Sequence, residues 1–247
     1  MALQNVKLTI AYDGSSYHGW QKQRGCVTIE SLITEAIERL TCCDDFKLIG
    51  SSRTDAGVSA LGQVANLLID TPIPAAKFAK ALTQLLPKTI AVKESIEVDA
   101  DFDAIKCAKS KLYRYSIYTG KVRPVLNIHS CWHRPGKLDI TAMNDAASKL
   151  VGTKDFKSFA TASDKRTSSL RTVFQCQVSG QDQWGYIDIE ADGFLYNMAR
   201  NIVGTLVEIG RGRWKPEAVD KILMAKSRCS AGPIAPANGL CLMWIKY

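Results

Sequence analysis

The 247-residue chain lacks long apolar runs: nothing in it approaches the ~18 consecutive apolar residues that a membrane-spanning helix needs. Metal and disulfide patterns are missing as well. The eight cysteines, at 26, 42, 43, 107, 131, 176, 229 and 241, contain no C-x-x-C spacing, which fits scattered reduced thiols in a cytosolic chain. Histidine is scarce: His129 and His133 have no carboxylate between them, His18 lies far from both, and no zinc site is expected. There is no nucleophilic-serine elbow and no phosphate-cradling glycine loop, so the common hydrolase and nucleotide-binding signatures are excluded. No basic, apolar and small-residue succession follows Met1, so no secretory signal is expected. A linker rich in Pro, Gly or Ser is also absent.

What remains is ordinary globular material: 46% apolar, 23% charged, with 17 Gly and 8 Pro. The length fits one large or two small domains. Lys and Arg number 32 against 24 Asp and Glu, and the net charge of +8 points to an anionic partner, most often nucleic acid.

Hydrophobic spacing predicts two successive α+β units. Val6 to Tyr12 alternates as a strand. Thr28 caps a helix from Ile29 to Leu40 that carries Leu32, Ile33, Ala36, Ile37 and Leu40 on one face. Phe46 to Ile49 reads as a strand, Gly50 to Gly62 as a polar loop, and Gln63 to Ile69 as a strand. Pro74 opens a helix to Leu86, and Ile90 to Val98 is a fourth strand. In the second half, Lys111 to Tyr118 alternates. Asp139 caps a helix to Val151 with Gly152 at its end, Arg171 to Val178 and Tyr186 to Glu190 are strands, and a helix runs from Phe194 to Ile209. A shorter helix follows Pro216, and Cys241 to Lys246 closes the chain as a strand. The fold class is α+β with mainly antiparallel sheets, divided into residues 1–104 and 105–247.

The loop Gly50 to Ala60 concentrates a carboxylate, a guanidinium and several hydroxyls around Arg53-Thr54-Asp55. On residue types alone it reads first as a solvated hairpin turned by Asp55 and Gly57. Its length exceeds the roughly 2–5 residues a plain hairpin needs, which favours a working loop.

Arg53-Thr54-Asp55-Ala56-Gly57-Val58 resembles the signature loop of the TruA family of tRNA pseudouridine synthases. The resemblance continues in order along the chain. It includes Tyr12-Asp13-Gly14 with Tyr17, Gly19-Trp20-Gln21 and Gln23; Lys111-Leu112-Tyr113-Arg114-Tyr115; and Gly152 with Asp155-Phe156 and Phe159. Phe194 to Met198 with Arg200 to Leu206, and Ala235-Pro236-Ala237 with Gly239-Leu240 and Leu242, complete it. Three positions depart from the pattern: Lys154 and Ser59 stand where a His is common, and Ser52 where a Gly is common.

The resemblance implies the pseudouridine synthase fold: two subdomains whose sheets join into one extended sheet, with the active-site cleft between them. It implies isomerisation of uridine to pseudouridine in tRNA, at positions 38, 39 and 40 of the anticodon arm, by a cytoplasmic homodimer without a cofactor. Asp55 would be the catalytic nucleophile, attacking the nucleotide or taking a proton from its sugar. A carboxylate drawn away from water is pushed toward its neutral form, so a partner cation is needed; by resemblance this is Arg200. Taken alone, Arg200 lies off the apolar stripe of Leu195, Met198, Ile202, Leu206 and Ile209, as a solvated charge would. Tyr113 would stack on the target base, which has lost its neighbours on leaving the helix. Arg53, Arg24 and Leu240 are substrate-binding candidates, and Lys165, Arg166, Arg171, Arg211, Arg213 and Lys215 are candidates for tRNA phosphates. Two rival readings are an RNA-binding module without catalysis and a hydrolase using Asp55 as base.

Overall fold

A computed structural model describes residues 3–164 and 166–247. The chain forms two compact units, one from the chain up to Lys109 with Leu242–Tyr247, the other from Ser110–Cys241.

The first unit is built on β1 (Leu3–Tyr12), α1 (Ile29–Thr41), β2 (Phe46–Gly50), β3 (Ser59–Asp70), α2 (Phe78–Leu85) and β4 (Ile90–Glu97). β1 lies between β4 and β3, antiparallel to both, and β2 pairs with the second half of β3. Opposed residues share a face in such pairs. Val6, Leu8, Ile10 and Tyr12 therefore line up with Leu67, Ala65, Gln63 and Ala60, and all eight are buried. The helices complete this core. Thr28 and Ser31 form a reciprocal capping box at the start of α1, Ile29, Ile33, Ala36 and Ile37 are buried, and Cys42 ends the helix in the left-handed region. α2 is fastened to β4 through the Thr83 hydroxyl, which accepts from Val92 N and donates to its carbonyl. On the opposite face, Asn66 donates to Asn5 Oδ1 and accepts from Ala104 N, which folds the turn after β4 onto the sheet. The chain's last residues return here, with the Tyr247 hydroxyl donating to Ala104 O.

Sequence spacing starts β3 at Gln63, but the strand starts at Ser59. Ser59, Ala60 and Gly62 have small side chains and look like loop. Gly62 is small because the Met243–Trp244 backbone approaches within 3.0 Å of where its Cβ would stand. The working loop is therefore only residues 51–58. The helix expected from Pro74 opens instead as a 3-10 turn, Ala75–Lys77, leading into α2.

The second unit comprises β5 (Ser110–Tyr118), β6 (Trp132–His133), α3 (Ile140–Ser148), β7 (Gly152–Asp155), β8 (Leu170–Gln181), β9 (Trp184–Ala191), α4 (Met198–Gly210) and α5 (Ala218–Ala225), before β10 (Leu240–Lys246) leads back. β5, β9, β8 and β7 form an antiparallel series, and β6 adds a short parallel pairing to β5. Tyr113, Tyr115 and Ile117 are buried on one face of β5 with Ile187 and Ile189 of β9. Arg114 on the other face makes a two-pronged pair with Asp188, both bonds 2.7 Å. α4 is the core helix, its residues buried except for Arg200, which is half-buried. The helix expected from Phe194 begins four residues later, because Asn197 adopts φ 61° and ends the turn before it. Likewise α3 stops at Ser148, and Gly152, at φ 104°, opens β7 rather than capping a helix. β7 reads Gly-Thr-Lys-Asp, which has no apolar alternation to announce a strand.

Candidate active site

Asp55 sits on a loop held at nearly every residue. Ser51 N donates to Val64 O at 2.8 Å. Gln63, fully buried in β3, takes the Ser52 N–H on its Oε1 and donates its Nε2 to Ser52 O at 2.6 Å. The Thr54 hydroxyl meets the Tyr12 hydroxyl at 2.8 Å, and Thr54 O accepts from Trp20 N at 3.1 Å. Val58 N closes a turn onto Asp55 O, Gly57 N reaches Tyr17 O, and Ser59 Oγ accepts from Gly14 N. The N-terminal segment Tyr12 to Trp20 is thus the mould for the loop. Two glycines in it are required by contact: a Cβ on Gly14 would stand 2.0 Å from Val58 O, and one on Gly19 would stand 2.5 Å from Thr54 O. Gly50 is similarly fixed by the indole of Trp20, itself buried. Asp55 is half-buried at the loop's turn, beside the exposed Arg53. Such a mount holds a carboxylate in one position with little further ordering to pay for at the moment of reaction. Ser52 and Ser59, the two departures in this region, both contribute backbone or hydroxyl bonds to it. Lys154, the third, donates to Lys149 O in the second unit.

Tyr113, Arg200 and Leu240 belong to the second unit. Tyr113 is 6% exposed and its ring meets Phe194 edge-on, centroids 4.9 Å apart, which fixes the plane of the phenol. Leu240 is buried at the start of β10. Arg200 is gripped from two sides: Nε donates to Ala235 O at 2.8 Å and an Nη donates to Asn197 Oδ1 at 3.1 Å. Ala235 also returns a bond, its N–H donating to Arg200 O. This close approach exists because α4 carries glycine at 204, where a Cβ would stand 1.7 Å from Pro233 O. Arg200 is therefore a held group, unlike the solvated charge that its place off the stripe suggests.

Around the start of β5 lies a positive region. Lys111 has its pKa brought down to about 8, by burial first and then by the guanidinium of Arg166. Arg171 is lowered by burial and by the same Arg166. Arg166 is tied to Asp164 at 2.7 Å. Burial alone would raise Asp164, but N–H donation from Tyr196 and Arg166 and the Arg166 charge outweigh it, and its carboxyl falls below the usual range. The remaining phosphate candidates differ in commitment. Arg24 and Lys215 are exposed, whereas Arg211 and Arg213 both bind Glu208, at 3.0 and 2.8 Å. Trp214 is half-buried in an open groove of about 630 Å³ lined also by Arg213, Lys215 and Lys221. Lys165 lies outside the described residues.

The sequence assigns no supporting role to Tyr12, Gln63 or Asn197, although Tyr12 and Asn197 lie inside the matched motifs; in the structure they hold Thr54, Ser52 and Arg200. The signal for Gln63 is a polar amide inside the mostly apolar run of β3.

The first unit thus presents a half-buried carboxylate on a closely held loop, and the second a fixed aromatic ring and a braced guanidinium. Residues 8–105 and 146–247 match the family model described as tRNA pseudouridine synthase, and the chain belongs to that family. It is 44% identical over 245 residues to tRNA pseudouridine synthase A of Acetivibrio thermocellus, covering 99% of this chain and 100% of that protein. The protein of the same name from Moorella thermoacetica is 46% identical over 244 residues, covering 98% and 99%. That of Caldicellulosiruptor saccharolyticus is 41% identical over 245 residues, covering 99% and 100%. Members of the family are isomerases that convert uridine to pseudouridine. Among the described residues no helix is long and apolar enough to cross a membrane.

Proposed function

We propose that this chain isomerises uridine to pseudouridine in the anticodon arm of tRNA, at positions 38, 39 and 40, with Asp55 as nucleophile. In this reading Tyr113 stacks on the flipped base, Arg200 is the ion-pair partner of Asp55, and Arg53, Arg24 and Leu240 contact the substrate. The two units, one up to Lys109 with Leu242–Tyr247 and the other Ser110–Cys241 rather than the 1–104 and 105–247 expected from sequence, act on one nucleotide. The enzyme works in the cytoplasm as a homodimer and needs no cofactor.

The observation that carries the reading is the mounting of Asp55. A loop that only connected two strands would not need Tyr12, Trp20, Gln63 and two contact-bound glycines to hold it. The chemistry explains the need. The base leaves the sugar through nitrogen and returns through carbon, so the carboxylate must keep its place while the base turns. The bracing of Arg200 supports its role, since a cation that balances a desolvated carboxylate works best when already in place. A binding module without chemistry would require neither.

The test uses the purified chain and an unmodified tRNA transcript with uridines at 38, 39 and 40. Nucleotide-resolution mapping should find pseudouridine there in magnesium buffer with no other addition. Pseudouridine elsewhere in the tRNA would overturn the assignment of position, and none at all would overturn the activity.

A further inference from the structure

Asn197 stands out on the second unit for three reasons. It is one of few residues other than glycine with positive φ, at 61°, and it sits at the first turn of the core helix α4. It occupies the position where an asparagine side chain usually accepts from the helix's first free N–H groups, yet it makes no such capping bond. Its amide is instead spent outward. Oδ1 accepts from Arg200 at 3.1 Å, and Nδ2 donates to the Thr161 hydroxyl at 2.8 Å. A backbone in an uncommon conformation whose side chain forgoes its local role is the kind of outlier that points to function.

The bonds behind Asn197 make it stiff. Thr161 N donates to Tyr196 O, and Asp164 Oδ2 accepts from Tyr196 N at 2.6 Å. Asn201, fully buried one turn on, donates to Phe159 O at 2.7 Å. The segment 159–164 is therefore stitched to 196–201 from both sides, and the Asn197 amide is the outermost stitch, ending on the guanidinium. Ala235 holds the other edge of that guanidinium through Nε. Arg200 has a long flexible stem, and two fixed acceptors on different edges of its planar head leave it one orientation.

We infer that Asn197, backed by Thr161, is the positioning residue that fixes Arg200 for turnover. This rests on the proposed role of Arg200. Asn197 itself touches no reacting atom; it decides where the guanidinium stands before the substrate arrives.

The decisive variant is Asn197→Gly. Glycine takes the left-handed conformation freely, so the backbone is kept and only the amide is lost. Thermal midpoint and tRNA affinity should stay near those of the parent, while the single-turnover rate of pseudouridine formation at saturating tRNA falls about 10- to 100-fold, the usual scale for loosening a catalytic group by ~1 Å. The same change in an Arg200→Lys background should cost less than about threefold, since the lysine has no Nη for Asn197 to hold. Thr161→Val should reproduce part of the loss, and Thr161→Ser should restore the rate. Thr161→Val also serves as the test if Asn197→Gly does not fold. A parental rate for Asn197→Gly, or an equal loss in both backgrounds, overturns the inference. Arg200→Ala separates the two ideas: if it runs at the parental rate, the role given to Arg200 is wrong, and if it is slow while Asn197→Gly is fast, only the positioning role is wrong.

Discussion

Replacing Gly19 by alanine probes the coupling between the N-terminal segment and the Asp55 loop. The added methyl would stand 2.5 Å from Thr54 O, 3.0 Å from Asp55 C and 3.1 Å from Ala56 N. All three are backbone atoms, so no side chain can swing aside. Reaching an ordinary contact of 3.4 Å requires the Thr54 carbonyl to retreat by about 0.9 Å. Two costs add: about 1–2 kcal/mol for a side chain at φ +86°, and about 1–3 kcal/mol for overpacking a filled site. The retreat moves Asp55 by the same order, and a ~1 Å misplacement costs about 10²-fold in rate. Gly25→Ala is the matched control, since its φ is +76° but nothing lies within 4 Å of the new methyl. It should lose only the conformational ~1–2 kcal/mol and keep its turnover. Stability is read by urea unfolding and chemistry by single-turnover pseudouridine formation on tRNA. Equal losses of rate in the two variants would refute the idea that contact with the loop matters.

Three further outcomes are expected. Lys111 is largely uncharged in the folded protein above pH 8 but charged in the unfolded chain up to about pH 10.4, so between these values the unfolded state binds more protons and this residue's contribution to stability rises with pH; Lys111→Met should remove that rise, and an unchanged difference between pH 7.5 and 10 would contradict the burial argument. Affinity for tRNA should fall with salt, log affinity dropping about 0.7–0.9 per log salt for each phosphate neutralised; a flat response would remove the basic surface from the account. Arg200→Lys should recover only part of the rate lost in Arg200→Ala, because an ammonium lacks the planar fork that Ala235 and Asn197 hold; full recovery in the single-turnover assay would show that the fork is dispensable.

The order of elements is legible in the sequence because it rests on periodicity. Val6, Leu8, Ile10 and Tyr12 alternate, and Ile29, Ile33, Ala36 and Ile37 recur at helical spacing. Boundaries blur where backbone contact replaces side-chain pattern. Gly62 reads as loop, but glycine is selected there by the close approach of the Met243–Trp244 backbone. The start of α4 is hidden because Leu195 and Met198 keep the stripe while Asn197 breaks the backbone, and a dihedral leaves no periodic trace. The Arg53–Asp55 loop is legible through its chemistry, dense in charge and hydroxyls between two strands. What holds it is not: Tyr12 with Thr54 and Gln63 with Ser52 join residues 42 and 11 positions apart, through ordinary strand residues. The grip on Arg200 is also long-range, from Ala235, 35 residues on. The resemblance to a known family is what names Tyr113 and Arg200, whereas the supports that orient them come from the fold.

Asp55→Asn tests the central claim most directly. The substitution keeps shape and volume while removing the charge that attacks or accepts a proton. Single-turnover formation of pseudouridine is measured beside affinity on the same tRNA, with unfolding to confirm structure. The account predicts a folded variant that binds tRNA at least as well as the parent and forms no pseudouridine above background. Turnover near the parental rate would contradict it.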